Sequence, residues 1–206
     1  MSLILDQIRI THNNIDLFRQ VTLKIENGRT AAVMGPSGCG KSTLLSAVCG
    51  SLPGDFKLHG DIILNGVSIL NIPMEKRRVG ILFQDDLLFP HMSTGSNLGF
   101  AIPGHVPEKE RRDKIENALE IAGLKGFYRR DTATLSGGQR ARVSLLRALL
   151  AEPEALLLDE PFAKFDNTLK IRIRKFVYKQ IRRMNIPALL VTHDPGDIST
   201  GPVINL

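Results

Sequence analysis

Three stretches of this 206-residue sequence carry residue types at spacings suited to phosphate chemistry. The first, Gly35-Pro36-Ser37-Gly38-Cys39-Gly40-Lys41-Ser42, matches G-x-x-x-x-G-K-[ST]. In that pattern backbone N–H groups wrap nucleotide phosphates, the lysine reaches the β- and γ-phosphates, and the serine hydroxyl ligates Mg²⁺. The second, Leu156-Leu157-Leu158-Asp159-Glu160, is an apolar run ending in two carboxylates. The apolar residues bury a strand, so the acids emerge at its carboxyl end, where open α/β sheets place ligands. There Asp159 would join a Mg²⁺ shell and Glu160 would polarise an attacking water; two solvated acids at a strand end are the plainer alternative. The third, Leu135-Ser136-Gly137-Gly138-Gln139, opens an apolar-periodic segment running to about Ala151. A serine followed by two glycines at a helix start suits an anion. The serine caps the helix, the glycines let N–H groups approach, and the dipole favours negative charge. Gln84 and His193 each close an apolar strand. Gln84 is expected to sense Mg²⁺ and water and His193 to contact the γ-phosphate; each is otherwise an ordinary polar residue at a strand end.

These residues need strands and helices to hold them. LILDQIRI at 3–10 and VTLKI at 21–25 read as strands, with cleaner alternation in the second. After a Glu26-Asn27-Gly28 turn, TAAVM at 30–34 is a short apolar run of the buried-strand kind that leads into the Gly-rich loop, and Lys41–Cys49 has helical spacing. Strand, loop and helix in that order are the context a phosphate loop requires. Gly60–Leu70 predicts two short strands around an Asn65-Gly66 turn, and RRVGILFQ at 77–84 predicts another strand. From Asp85 onward, Pro90, Gly95, Gly99, Pro103, Gly104 and Pro107 break the chain into short pieces. A charged helix follows at 108–123, with Ile115, Leu119 and Ala122 on one face. Strands return at 155–159 and 187–193, flanking a helix over about 167–184.

Length supports one well-cored domain with a subdomain. A hydrophobic share of 43% with 23% charged residues describes an ordinary globular protein and excludes a disordered chain. The net charge of +6 suits an anionic partner, although the charges are spread rather than blocked. With only Cys39 and Cys49, one of them inside the phosphate loop, no disulfide framework is expected. No apolar run is long enough to cross a bilayer, and no secretory signal opens the chain. A cytoplasmic protein that meets a membrane only through a partner is expected.

In order and spacing the motifs resemble the ATP-binding subunit of ABC transporters, over about residues 3–194. Gly35–Thr43 is similar to Walker A, Gln84 to the Q-loop residue, Leu135–Gln139 to the signature motif, Ala155–Glu160 to Walker B and His193 to the switch histidine. The resemblance implies an α/β fold: a RecA-like P-loop NTPase core with a mainly parallel sheet, an antiparallel N-terminal β-subdomain and an inserted helical subdomain. One cassette domain would span 1–206, its α/β core at about 1–84 and 152–206 and its helical part at about 85–151. The implied cofactors are ATP and Mg²⁺. Glu160, His193 and Gln84 would be catalytic, Ser42, Gln84 and Asp159 would hold the metal, and the nucleotide would lie on Gly35, Pro36, Ser37, Gly38, Cys39, Gly40, Lys41, Ser42 and Thr43. A head-to-tail homodimer, or a pairing with a related ATPase subunit, would close each ATP between Walker A of one chain and Ser136, Gly137, Gly138 and Gln139 of the other. Integral membrane permease subunits and a solute-binding protein are the implied partners, at the cytoplasmic face of the inner membrane. No nucleic acid is expected.

LFQDDLLFPHMSTGSNL at 82–98 is similar to the segment with which importer-type subunits dock on their permeases, through Leu87, Leu88, Phe89 and Met92; a small core of the insert's own is the alternative. Phe162 also suits the importer branch. Many relatives in that branch continue into a regulatory domain, and none is expected beyond Leu206. The alternatives are an exporter subunit and a soluble ABC ATPase acting on nucleic acid or ribosomes. The chain departs from the family pattern in three places. His12 stands where relatives carry an aromatic residue that stacks on adenine, and its smaller ring should bind more weakly. Ala163-Lys164-Phe165-Asp166 replaces the usual Ser-Ala-Leu-Asp, and only PVINL remains as a last strand. Finally, Lys170, Arg172, Arg174, Lys175, Lys179, Arg182 and Arg183 form a basic helix side. Leu169, Ile173, Phe176, Val177, Gln180, Ile181 and Met184 track the opposite face, which predicts a core-packing helix rather than a nucleic-acid surface.

Overall fold

Strand β1 (Ser2–His12) is the axis of an antiparallel sheet, because Leu3, Leu5, Ile8 and Ile10 all turn into the core. A computed structural model describes residues 2–83, 85–198 and 201–206. A turn at Asn13-Asn14, both with positive φ, leads to β2 (Ile15–Asp16), and β3 (Val21–Glu26) follows with strict in–out alternation. The apolar β4 (Thr30–Met34) runs into the Gly-rich loop and α1 (Lys41–Cys49). Then come β5 (Phe56–Leu64), the Asn65-Gly66 hairpin turn with positive φ at both residues, β6 (Val67–Ser68) and β7 (Val79–Leu82). Helices α2 (Thr94–Gly99), α3 (Glu108–Ile121) and α4 (Gly137–Leu150) fill the middle of the chain. It closes with β8 (Ala155–Asp159), α5 (Asn167–Met184), β9 (Ala188–Val191) and β10 (Val203–Asn205).

The chain divides into two compact units. The first comprises the residues up to Ile81 with Pro153–Glu160 and Tyr178–Leu206; the second comprises Leu82–Glu152 and Pro161–Val177. In the antiparallel sheet β1 pairs with β2, β3 and β5, and β6 extends β5. The β1–β5 register shifts between Asp6 and Arg9, where Gly60 (φ +91°) lies against the Asp6 and Gln7 carbonyl oxygens; a Cβ there would collide with both. Past this bulge β5 continues to Phe56, opposite His12, which makes it longer than the hairpin read from sequence. In the second sheet the order is β10-β4-β9-β8-β7, with β10, β4, β9 and β8 parallel. Its inner strands are buried on both faces, as their unbroken apolar runs require. Side chains from both sheets and α1 share one core, including Leu44, Leu45, Val48, Leu157, Leu189 and Val191.

In the second unit α3 buries Ile115 and Leu119, and Ala122 just beyond it is also buried, the face its spacing predicts. The short α2 is fixed by a buried amide. Asn97 Nδ2 donates to the Phe89, Met92 and Ser93 carbonyls, while its Oδ1 accepts from the Phe89 N–H at 2.9 Å. Along α5, Ile173, Val177 and Ile181 are buried, whereas Arg172, Lys175, Lys179, Arg182 and Arg183 are exposed, as the amphipathic pattern predicts. Among the described residues no helix is long and apolar enough to cross a membrane. Cys39 and Cys49 are both free thiols.

Candidate active site

Within the first unit, β4 delivers the chain into a loop whose Gly35, Gly38 and Gly40 have φ of +153°, +82° and +96°. These glycines supply left-handed backbone and room. A Cβ at Gly40 would sit 2.8 Å from the Phe18 ring, and one at Gly35 would sit 2.7 Å from Cys39 Sγ. Gly40 is the N-cap of α1, with no side-chain cap and no acidic residue in the first turn. The leading N–H groups of α1, with the positive end of its dipole, are left for an anion. Lys41 Nζ donates to the Gly35 and Pro36 carbonyls, both at 2.8 Å, so its charge is held over the loop.

Beside the loop, β8 ends on Asp159 and Glu160. Asp159 is 7% exposed and lies beside the Ser42 hydroxyl. Burial pushes its carboxyl above the ordinary 3.8, with the Glu160 charge adding to the rise; the Ser42 hydroxyl and Lys41 oppose it. Glu160 adopts φ +48°, left-handed for a non-glycine residue, while its N–H donates to the Val191 carbonyl at 3.0 Å. That turn throws its side chain toward His193 at the end of β9, where Glu160 Oε1 lies 2.8 Å from His193 Nδ1. His12 Nε2 lies 3.1 Å from Asp55 Oδ2, and its ring stacks on Phe56. His12, Leu17 and Phe56 line a cleft of about 280 Å³ together with Gly38, Gly40, Lys41, Ser42 and Thr43. The structure thus brings His12, the Gly35–Thr43 loop, Asp159, Glu160 and His193 into the first unit. Gln84 lies outside the described residues. Leu17, Asp55 and Phe56 belong to no motif, and no sequence signal marks them.

In the second unit Ser136 is the N-cap of α4. Its Oγ accepts from the Gln139 N–H at 3.3 Å and its own N–H donates to Gln139 Oε1 at 2.9 Å, a complete capping box. Gly137 and Gly138 are helical without positive φ, so they serve by lacking side chains. A Cβ at Gly138 would make ordinary contact, 3.5 Å from the Lys164 carbonyl oxygen. Asp86 lies 3.4 Å from both Arg140 Nε and Lys164 Nζ. It also lines a groove of about 290 Å³ with Leu87, Leu88, Pro90, Thr132, Ala133 and Arg140. Phe89 instead packs edge-on against Phe100 and under Arg147, and Met92 is half-buried outside that lining.

Comparison with known proteins agrees with this fold. The family model described as ABC transporter matches residues 18–163. An uncharacterized ABC transporter ATP-binding protein of Escherichia coli, YnjD, is 48% identical over 182 residues, covering 88% of this chain and 84% of that one. The Fe(3+) ions import ATP-binding protein FbpC of Streptomyces avermitilis is 39% identical over 178 residues, 86% of this chain and 51% of the relative. The chain therefore spans about half the length of such import proteins. Among solved structures, the ATP-binding cassette MJ0796, dimeric in a post-hydrolysis state with ADP and Pi, superposes with a TM-score of 0.84 at 27% identity, covering all of this chain and 94% of that one. With phosphate loop, paired acids and capped signature helix on this fold, the chain belongs to the ABC transporter family, as an ATP-binding ATPase subunit.

Proposed function

We propose that this subunit hydrolyses MgATP to power solute uptake through a membrane transporter, with Glu160 activating the attacking water. The observation that carries the reading is the Glu160–His193 contact of 2.8 Å, at strand ends flanking a phosphate loop. The loop N–H groups and Lys41, released from the Gly35 and Pro36 carbonyls, would bind the triphosphate. The Glu160 carboxylate, set beside His193, would orient water in line with the γ-phosphate, and His193 would hold that carboxylate in place. Gln84 is assigned to the same water.

Ser42 and Asp159 are the residues that would hold Mg²⁺. Their proximity sets a hydroxyl beside a buried carboxylate, a two-oxygen set that suits an ion keeping its waters and phosphate oxygens. A Mg²⁺ ion held there would supply positive charge to offset that of the phosphates.

Two copies of the cassette, or this one with a related subunit, would close around ATP, each supplying Ser136, Gly137, Gly138 and Gln139 to the other's nucleotide. The dimeric MJ0796 cassette supports this arrangement. Similarity to FbpC, named for Fe(3+) import, supports uptake over export. The groove lined by Leu87 and Leu88 is assigned to a permease segment at the cytoplasmic membrane face, and a solute-binding protein would deliver the cargo. Glu160→Gln tests the central role. Phosphate release should fall by about three orders of magnitude while ATP binding persists, since removing the base leaves the binding groups intact. Turnover at the wild-type rate would remove Glu160 from that role.

A further inference from the structure

The aromatic pair at the mouth of the nucleotide cleft goes beyond the motifs. His12 and Phe56 face each other across the β1–β5 ladder as direct register partners. Their ring centroids are 4.7 Å apart with planes 25° from parallel. Rings this close leave no gap for a third ring between them, so a base entering the cleft must stack on the outside of the pair. At its edge the His12 ring is held by Asp55, 3.1 Å from Nε2. Its strand is pinned on the other side by the Asn13-Asn14 turn, where His12 pairs with Ile15. The same cleft continues to Lys41, Ser42 and Thr43 at the start of α1, where the phosphates would lie.

We propose that Phe56 and Asp55 are positioning residues for the nucleobase: Phe56 backs one face of the His12 ring and Asp55 fixes its edge, so that the opposite face forms a preset platform for the base. This rests on the reading of the Gly35–Thr43 loop as the triphosphate site. An unsupported imidazole is a small ring on a rotatable stem, and ordering it on binding costs entropy. Stacked on Phe56 and paired with Asp55 in advance, it meets the base without that cost. β5 runs past the Gly60 bulge as far as Phe56, and that extension is what makes the support available.

Binding of MgATP and of magnesium tripolyphosphate, measured by calorimetry on the full chain, tests this, because the second ligand has phosphates without a base. His12→Ala and Phe56→Ala should each weaken ATP about tenfold, the scale of one base–aromatic stack. Both should leave tripolyphosphate unchanged, which also shows that the phosphate loop is still folded. Because Phe56 acts through His12, the double variant should bind ATP no worse than His12→Ala alone. Phe56→Tyr should restore ATP affinity, and Asp55→Asn should weaken ATP less than Phe56→Ala does. Unchanged ATP affinity in Phe56→Ala, additive losses in the double variant, or equal losses for both ligands would each overturn the proposal. If Lys41→Ala leaves tripolyphosphate binding intact, the triphosphate reading fails first, and the platform falls with it.

Discussion

At the scale of single residues, Asp159 shows how a binding site stores cost in the unliganded fold. Burial raises its folded-state carboxyl above 3.8, so the folded protein keeps a proton over a pH range in which the unfolded chain has released it. Stability is therefore highest below that range and falls as pH rises through it; at neutral pH the buried charge is carried at a cost. Asp159→Asn keeps an acceptor for Ser42 and removes the charge. Without nucleotide or Mg²⁺ at pH 7, this variant should melt about 2–4 °C above wild type, the equivalent of roughly 1 kcal/mol in a chain of this size. The gap should close as the pH is lowered toward 4, while Mg²⁺-dependent hydrolysis is lost at any pH. A variant that melts lower than wild type at pH 7 would mean that the Ser42–Asp159 contact outweighs the burial of the charge.

At the scale of elements, α1 is held at both ends by different means. Its first turn is open to an anion. Its last turn is clamped by Arg77, 8% exposed, whose Nη1 donates to the Ala47 and Val48 carbonyls at 3.0 and 2.9 Å. The same guanidinium donates through Nε to Ile72 and through Nη2 to Leu70. A buried cation on the helix C-terminus satisfies orphan carbonyls and complements the dipole. Arg77→Met should cost about 3 kcal/mol in urea unfolding, because several buried acceptors lose their donor together. Arg77→Lys should recover less than half, since an ammonium cannot reproduce the fork. A loss below about 0.5 kcal/mol for Arg77→Met would show that water replaces the clamp. This clamp was not legible in the sequence, where Arg77 reads only as the charged start of a strand spanning 77–84. The strand begins at Val79, since Arg77 is tied to α1 and Arg78 turns with φ +55°. By contrast β4, α1, β8 and α5 have the bounds their sequences predict, because an apolar run or a helical stripe between turn residues is decided locally. Asn97 and α2 were invisible for the opposite reason. Six residues that include two glycines have little helical preference, and they are helical because a buried amide ties them to residues 89–93. At the site, Lys41, Ser42, Asp159 and Glu160 were readable because their chemistry demands fixed spacing. Asp55 and Phe56 were not, because only the β1–β5 register brings them to His12.

At the scale of the whole molecule, the proposed dimer gives a reason for one chain to carry two helix starts suited to an anion. The capping box of Ser136 and Gln139 uses two backbone N–H groups and two side-chain oxygens at the head of α4, and the bare Gly137 and Gly138 leave the rest approachable. In the dimer we propose, that surface meets a neighbour's ATP, so ATP binding and dimer closure are separable properties. Ser136→Arg places a long side chain where the nucleotide would sit and should leave the ATP affinity of the single chain unchanged. In a Glu160→Gln background, where ATP persists, light scattering should show ATP-dependent dimers that the added Ser136→Arg abolishes. Loss of the cap alone must be separated from bulk, and Ser136→Ala does that. It gives up about 1 kcal/mol of helix capping yet adds nothing to the surface, so it should still dimerise. If Ser136→Arg closes on ATP as readily as Ser136→Ala, the second anion site serves its own chain and the two-chain reading is wrong. If both variants fail to dimerise while binding ATP normally, the capping geometry, rather than open space beside the glycines, is what the neighbour's nucleotide recognises.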